Sequence, residues 1–209
     1  MRNPWEAIPL NDYENHMKLA SVRQLQTMNH FMADQFYRYP VKSAMVLGVA
    51  GGNGLEHVDP ARLETVYGVD LNPDYLAACA ARYPDLKETL RLIRADLTAE
   101  EFDLPPAELV MANLLVEYIG YSCFRRVIRK VSPRYVSCVI QVNTDESFVS
   151  DSPYLQVFDG LDRVHHQMEE DTLTETLETV GFERLFREER QLPNGKKLVR
   201  LDFGRSAFI

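Results

Sequence analysis

The sequence predicts an α/β fold in which a mostly parallel sheet is covered by helices on both faces, preceded by a helical segment and closed by an antiparallel hairpin. Three features predict it. Strand-sized apolar runs alternate with amphipathic helical stretches from Ala44 onward, a glycine cluster breaks the first run, and an Asn-Gly pair lies between the last two. Strands apolar on both faces and separated by helices belong to parallel sheets buried on both sides.

The chain up to Pro40 is expected to be helical. Asn11-Asp12-Tyr13-Glu14 has the form of a capping box with Asn in place of Ser or Thr. Val22, Leu25, Met28, Met32 and Phe36 then recur at helical steps until Pro40 stops the pattern. Residues 11–38 are expected as one or two helices, with residues 1–40 forming an N-terminal cap or lid on a domain of residues 41–209.

Ala44 to Val49 is the first strand and runs into the glycine loop. Thr65 to Val69 is the second and ends on Asp70, after which Asn72-Pro73-Asp74 opens a helix with an N-cap, a proline at the first helical position and an acid in the first turn. Leu90 to Ala95 is the third, ending on Asp96; Glu108 to Ala112 is the fourth, followed by a helix at roughly 119–131; Tyr135 to Val142 is the fifth. A helix at about 169–180 is stopped by Gly181, and Phe182–Gln191 and Lys197–Phe203 then flank Pro193-Asn194-Gly195. An Asn-Gly between strand-like runs is a hairpin signal, so one strand near the end of the sheet is expected to run antiparallel.

Bulk properties narrow the function classes. The 209 residues are 45% hydrophobic and 26% charged, a composition suited to one globular α/β domain with a small appendage. No run approaches the roughly 18–20 apolar residues of a membrane span, and the start, Met1 to Glu6, lacks the apolar core of a secretory signal. A cytoplasmic protein without a membrane partner is expected. The net charge of −8 disfavours nucleic acid as a partner. The basic residues Arg125, Arg126, Arg129 and Lys130 alternate with Phe124, Val127, Ile128 and Val131, as on the wet face of a helix. Cys79, Cys123 and Cys138 are far apart, and neighbouring His165 and His166 point in different directions, so no metal site is expected and the histidine pair reads as a solvated loop.

Ligands of an open parallel sheet sit beyond the carboxyl ends of its strands. Three candidates fall there in order: the loop Ala50-Gly51-Gly52-Asn53-Gly54, then Asp70 with Leu71, then Asp96 with Leu97. The glycines allow sharp turning and close approach. Asp70 can accept two hydrogen bonds from a ribose diol, and Asp96 one from the exocyclic amine of adenine. Each piece alone has a plain alternative, a tight turn for the glycines and a helix cap or turn for the acids; together they describe an adenosine site.

Val46 to Leu97 resembles the cofactor half of the class I S-adenosylmethionine-dependent methyltransferases, and the likeness extends over roughly residues 41–203. The resemblance implies a Rossmann-like, doubly wound, seven-stranded sheet with S-adenosylmethionine as cofactor. Ala50 to Gly54 then stands for the glycine loop, Asp70 for the ribose acid and Asp96 for the adenine acid. The chain departs from the pattern at two places: Gly48 replaces an acid that normally helps hold the methionine end, and Ala50 replaces the first loop glycine. Glu56 is the nearest acid available as a substitute, and Asp59-Pro60 cuts short the helix after the loop.

In that family the loop after the fourth strand, here Asn113-Leu114-Leu115-Val116-Glu117-Tyr118, faces the sulfonium and the substrate. The motif of enzymes acting on planar amino groups is absent, because Leu114 and Leu115 follow Asn113. Glu117 and Tyr118 are the candidates for catalysis, with a helix-terminal acid and a packed aromatic as the competing structural roles. Tyr13 and His16 are candidates for a lid or substrate contact. The region from Thr144 to Met168, with Asp145, Glu146, Tyr154, Phe158, His165 and His166, reads either as an insertion shaping the substrate pocket or as a solvated loop. The expected function is methyl transfer to an unidentified, small-molecule acceptor. Two alternatives stand beside it. One is a non-catalytic regulator that binds the cofactor. The other is an NAD(P)-binding oxidoreductase, disfavoured because no register supplies GxGxxG.

Overall fold

The computed structural model describes residues 3–142 and 148–206. Seven strands form one sheet: β1 (Ser43–Leu47), β2 (Thr65–Asp70), β3 (Leu90–Arg94), β4 (Leu109–Asn113), β5 (Tyr135–Val142), β6 (Phe182–Gln191) and β7 (Lys197–Arg205). Their spatial order is β3-β2-β1-β4-β5-β7-β6. β7 pairs antiparallel with both neighbours, and every other pairing is parallel. The chain leaves β1 towards β2 on one side and returns to β4 on the other, so a crevice opens where the winding reverses.

Among the described residues five α-helices accompany the sheet: α1 (Leu10–Lys18), α2 (Gln24–Arg38), α3 (Pro73–Arg82), α4 (Val116–Val131) and α5 (Glu170–Glu178). The strand period of two divides the core. Ala44, Val46 and Met111 face α2 and α3 through Met32, Phe36, Leu76 and Cys79. Met45, Leu47, Val110 and Ala112 face α4 and α5 through Phe124, Val127, Leu173 and Leu177. No helix of the described residues is long and apolar enough to cross a membrane.

Several local expectations need correction. The proposed capping box does not form: α1 begins at Leu10 after Pro9, with no side-chain cap, so Asn11 lies inside the helix. The N-terminal helical segment, expected as one or two helices, is two, parted by a turn in which Arg23 is left-handed at φ 54°. The helix expected at 119–131 begins at Val116, and Gly120, at φ 73° and ψ 160°, breaks it after one turn. That break separates the turn carrying Glu117 and Tyr118 from the amphipathic body that follows. Asn72 does cap α3, accepting from the Asp74 backbone N–H at 3.0 Å with Pro73 next.

Candidate active site

The carboxyl ends of β1, β2, β3 and β4 surround a cavity with about 700 Å³ of empty space, part of it open to solvent. β1 contributes Gly48 and Ala50, β2 Asp70 and Leu71, β3 Asp96 and Leu97, and β4 Asn113. The structure thus brings together seven of the sequence-expected cofactor residues, in the order of the strands.

The loop after β1 is held by β2. The backbone N–H groups of Gly48 and Val49 both donate to the Val69 carbonyl, at 2.8 and 3.0 Å. Ala50 is left-handed at φ 46°, a conformation that costs an L-residue roughly 1–2 kcal/mol. Its N–H donates to Asp70 Oδ2 at 2.9 Å, while Asp70 Oδ1 accepts from the Asn72 N–H at 2.9 Å. Asp70 therefore fixes the loop and its own turn while presenting its carboxylate to the cavity. Burial pushes its carboxyl above the usual range, against the pull of the backbone donors of Asn72, Ala50 and Leu71.

Gly48 explains its missing acid. It sits at φ 69°, and a Cβ placed there would lie 3.1 Å from Leu115 Cδ1, so Leu115 fills the space a side chain would need. Glu56 does not replace it. The Glu56 carboxylate accepts from the Gly54 N–H at 2.9 Å and the Tyr83 hydroxyl at 3.1 Å, pairs with Asn29, and does not line the cavity. Gly51, Gly52 and Gly54 do not line it either. A Cβ at Gly51 would meet Arg82 and Glu14, one at Gly52 would meet Tyr83 and Cys79, and one at Gly54 would meet Met32. These glycines let α1, α3 and α2 close on the loop.

The two polar residues furthest along are partly committed. Asp96 Oδ1 accepts from the Thr98 N–H at 2.9 Å and the Thr98 hydroxyl at 2.6 Å, forming a turn on an exposed rim. Asn113 exchanges two amide hydrogen bonds with Gln35, at 2.9 and 3.0 Å, and so ties β4 to α2.

The N-terminal segment roofs the cavity with Asn3, Trp5 and Tyr13. Polar contacts hold it to the α/β body. Asn72 Nδ2 donates to the Trp5 carbonyl at 3.0 Å, and the Tyr75 hydroxyl donates to the Ile8 carbonyl at 2.9 Å. Arg82 forms a two-point ion pair with Glu14 and donates to the Gly51 carbonyl at 3.1 Å. Trp5 meets Tyr13 and Tyr118 edge-on, with ring centroids 5.5 and 4.8 Å away.

Trp5, Tyr13, Leu114 and Tyr118 also form the wall of a second chamber behind the first. Here stand Glu117 and His16, together with Gln24, Gln141, Phe148, Phe158 and His165. Glu117 is 3% exposed, and its Oε2 has no hydrogen-bond partner among the described residues. Burial raises its carboxyl to about 7. His16 Nδ1 lies 2.8 Å from the Ser152 hydroxyl, its ring tilts against Phe158, and burial lowers its pKa. His165 is not part of a solvated loop: it stacks on Phe148 at 3.8 Å, and burial, with His166 next, pushes it down to about 4. His166 is exposed, and its N–H donates to the Glu117 carbonyl at 2.6 Å, fixing the turn after β4. Asp145 and Glu146 lie outside the described residues.

Sequence reasoning missed Asn3, Trp5, Tyr75, Gln24 and Gln141. The lone tryptophan beside Asn3-Pro4 was the one available signal; the others are joined only by the fold.

No family model matches the chain, and no curated protein matches it. Solved structures do. The (4+2)-cyclase SpnF superposes with a TM-score of 0.65 at 11% identity, over 88% of this chain and 82% of that one. A geranyl diphosphate C-methyltransferase from Streptomyces coelicolor A3(2), with Mg2+, geranyl diphosphate and S-adenosyl-L-homocysteine, gives 0.65 at 10% identity, over 88% and 81%. The magnesium protoporphyrin IX methyltransferase from Synechocystis PCC 6803, with S-adenosylhomocysteine, gives 0.62 at 11%, over 88% and 83%. The fold of this chain is the one those structures share.

Proposed function

We propose that this chain is an S-adenosylmethionine-dependent methyltransferase acting on a small-molecule acceptor. The observation that carries the proposal is the strand-end cavity. An acid at the end of β2 pins a left-handed loop after β1, and the cavity opens on a chamber containing a buried carboxylate with one oxygen unpartnered among the described residues. Asp70 would hold the ribose, and the Asp96–Leu97 rim the adenine. The nucleotide half fits the residues present. At the methionine end neither Gly48 nor Glu56 supplies an acid, which leaves the loop backbone of Gly48 and Ala50.

The cofactor supplies a methyl group whose C–S bond breaks with both electrons on sulfur as the acceptor takes the carbon. The protein's part is to orient the acceptor, exclude water and take up a proton. Tyr118 belongs to both compartments and so stands at their junction, while Glu117 in the second chamber is placed to accept the acceptor's proton. The N-terminal roof, residues 3–18, would act as the lid that keeps water out. A cyclase with this fold shows that fold alone does not settle chemistry.

The test is calorimetry with S-adenosylhomocysteine. The wild-type chain should bind, and Asp70→Ala should lose about 1.5–3 kcal/mol, roughly 10- to 150-fold in affinity. Unchanged affinity in the variant would remove the ribose role, and no binding by the wild type would remove the cofactor. Once an acceptor is known, Glu117→Gln and Tyr118→Phe should each slow turnover about tenfold or more with cofactor affinity held within about twofold. Turnover near wild type in both variants would return these residues to packing roles.

A further inference from the structure

We infer that the second chamber binds a small cationic amine, an ammonium group on a compact apolar body, and that this amine is the methyl acceptor. The inference rests on the methyltransferase reading for the word acceptor; the amine site itself is argued from the chamber's own residues.

The chamber pairs one acid, held on one side by the backbone N–H groups of Glu117 and Gln141, with ring walls. Glu117 is 3% exposed, and its Oε2 finds no partner among the described residues. A buried carboxylate oxygen left unpaired is costly, and nothing in the lining offers it a cation. The lining histidines do not fill that role, because burial drives both His16 and His165 towards the neutral form. Lys196 is buried nearby and its charge lowers both histidines, but it does not line the chamber, and it is engaged with other groups. A ligand that brings its own positive charge resolves the imbalance. An anion or a neutral hydrocarbon leaves it as it is.

The surrounding surface suits the same ligand. Trp5, Tyr13, Tyr118, Phe148 and Phe158 present aromatic rings to the chamber. Ring faces attract ammonium groups, most strongly where water is excluded. The Gln141 amide is already spent: it receives from Gln24 and donates to the Phe148 carbonyl at 2.8 Å.

The chemistry follows from the same acid. As the bound ammonium loses a proton, its N–H bond breaks, the electron pair stays on nitrogen, and an O–H bond forms on Glu117. Burial of this carboxyl, which raises it to about 7, makes it a better proton acceptor than an exposed glutamate. The freed lone pair is the nucleophile that methyl transfer requires. After transfer the nitrogen carries four bonds and the positive charge, and the proton on Glu117 returns to solvent.

The experiment is calorimetry on the full chain with 2-phenylethylamine, 2-phenylethanol and phenylacetate, each titrated with and without saturating S-adenosylhomocysteine. The amine should bind at least tenfold more tightly than the alcohol, and phenylacetate should give no heat. Glu117→Gln should weaken the amine at least tenfold and leave the alcohol unchanged. Because the substitution removes a buried charge, it should not impair folding, and the ranking of the three probes on the wild type is a test that needs no variant. An alcohol that matches the amine, an amine indifferent to Glu117→Gln, or no amine binding at all would overturn the inference. S-adenosylhomocysteine binding without amine binding would refute the amine site and spare the cofactor reading. Glu117-dependent amine binding without S-adenosylhomocysteine binding would do the reverse.

Discussion

Glu117 and His165 line one chamber and carry opposite pH liabilities. Burial lifts the Glu117 carboxyl from 4.5 to about 7. A carboxyl raised in the native state stabilises fully only below its unfolded value, and that contribution disappears as pH rises through the native one. For His165 burial lowers the imidazole from 6.5 to about 4. The unfolded chain then holds the extra proton between those values, so the native state weakens as pH falls through them. Between about pH 5 and about pH 8 the two groups oppose each other, so the wild type changes less than either group alone would give, and chemical denaturation of the wild type beside Glu117→Gln isolates the carboxyl. Relative to the wild type, Glu117→Gln should gain on the order of 2–3 kcal/mol of stability on going from about pH 5 to about pH 8. An unchanged difference between variant and wild type across that range would place the titrating group elsewhere. Gly48 makes a different point at this scale. An acid expected there is disfavoured by a positive φ and by Leu115 packed 3.1 Å from where its Cβ would be, and neither condition is visible in the residue letters around it.

α1 and α2 adjoin in sequence and differ in attachment. α2 is held by Met28, Phe31, Met32 and Phe36 in the core and by the Gln35–Asn113 amide pair. α1 and the segment before it are tied by the Glu14–Arg82 pair, by hydrogen bonds to the Trp5 and Ile8 carbonyls and by a small apolar cluster of Ile8 with Phe158 and Leu161, with Tyr13 and Trp5 over the cavity. A small peripheral cluster with polar ties opens at lower free energy than the main core. Hydrogen exchange should therefore show residues 3–18 gaining protection when S-adenosylhomocysteine binds, with residues 24–38 unchanged. Equal change in both, or none with ligand bound, would contradict a lid confined to the first segment. Elements of this kind were unevenly legible in the sequence. Tyr135–Val142 and Phe182–Gln191 were readable to the residue because their runs are long and bounded by breakers. The start of α1 was misplaced because Pro9, rather than Asn11, sets the entry angle. The turn holding Glu117 was cut off because the break at Gly120 looks like a helix boundary.

At the scale of the molecule, the strand order places the reversal of winding between β1 and β4, and the first cavity lies there. That half of the site was legible, since strand ends followed by glycines and acids need only local sequence and the rule for parallel sheets. The second chamber was not. It joins His16, Gln24, Glu117, Gln141, Phe148 and His165, residues brought together by the two helices ahead of the sheet, the turn after β4, the end of β5 and the loop after it. Elsewhere in the sheet a buried network pairs Arg200 with Asp202 through two hydrogen bonds of 2.6 and 2.8 Å, and Asp202 accepts from Tyr39 and Ser137. Gln35 carries the chain of contacts from Ser137 to Asn113. Trp5 is the sole tryptophan of the chain and stands in the wall common to both compartments. Its fluorescence therefore reports directly on whether an adenosyl cofactor occupies the strand-end cavity. Titration with S-adenosylhomocysteine should give a saturable change in Trp5 emission, weakened about tenfold or more in Asp70→Ala, while NAD gives none; no saturable change, or an equal response to NAD, would contradict a methyltransferase cofactor at this site.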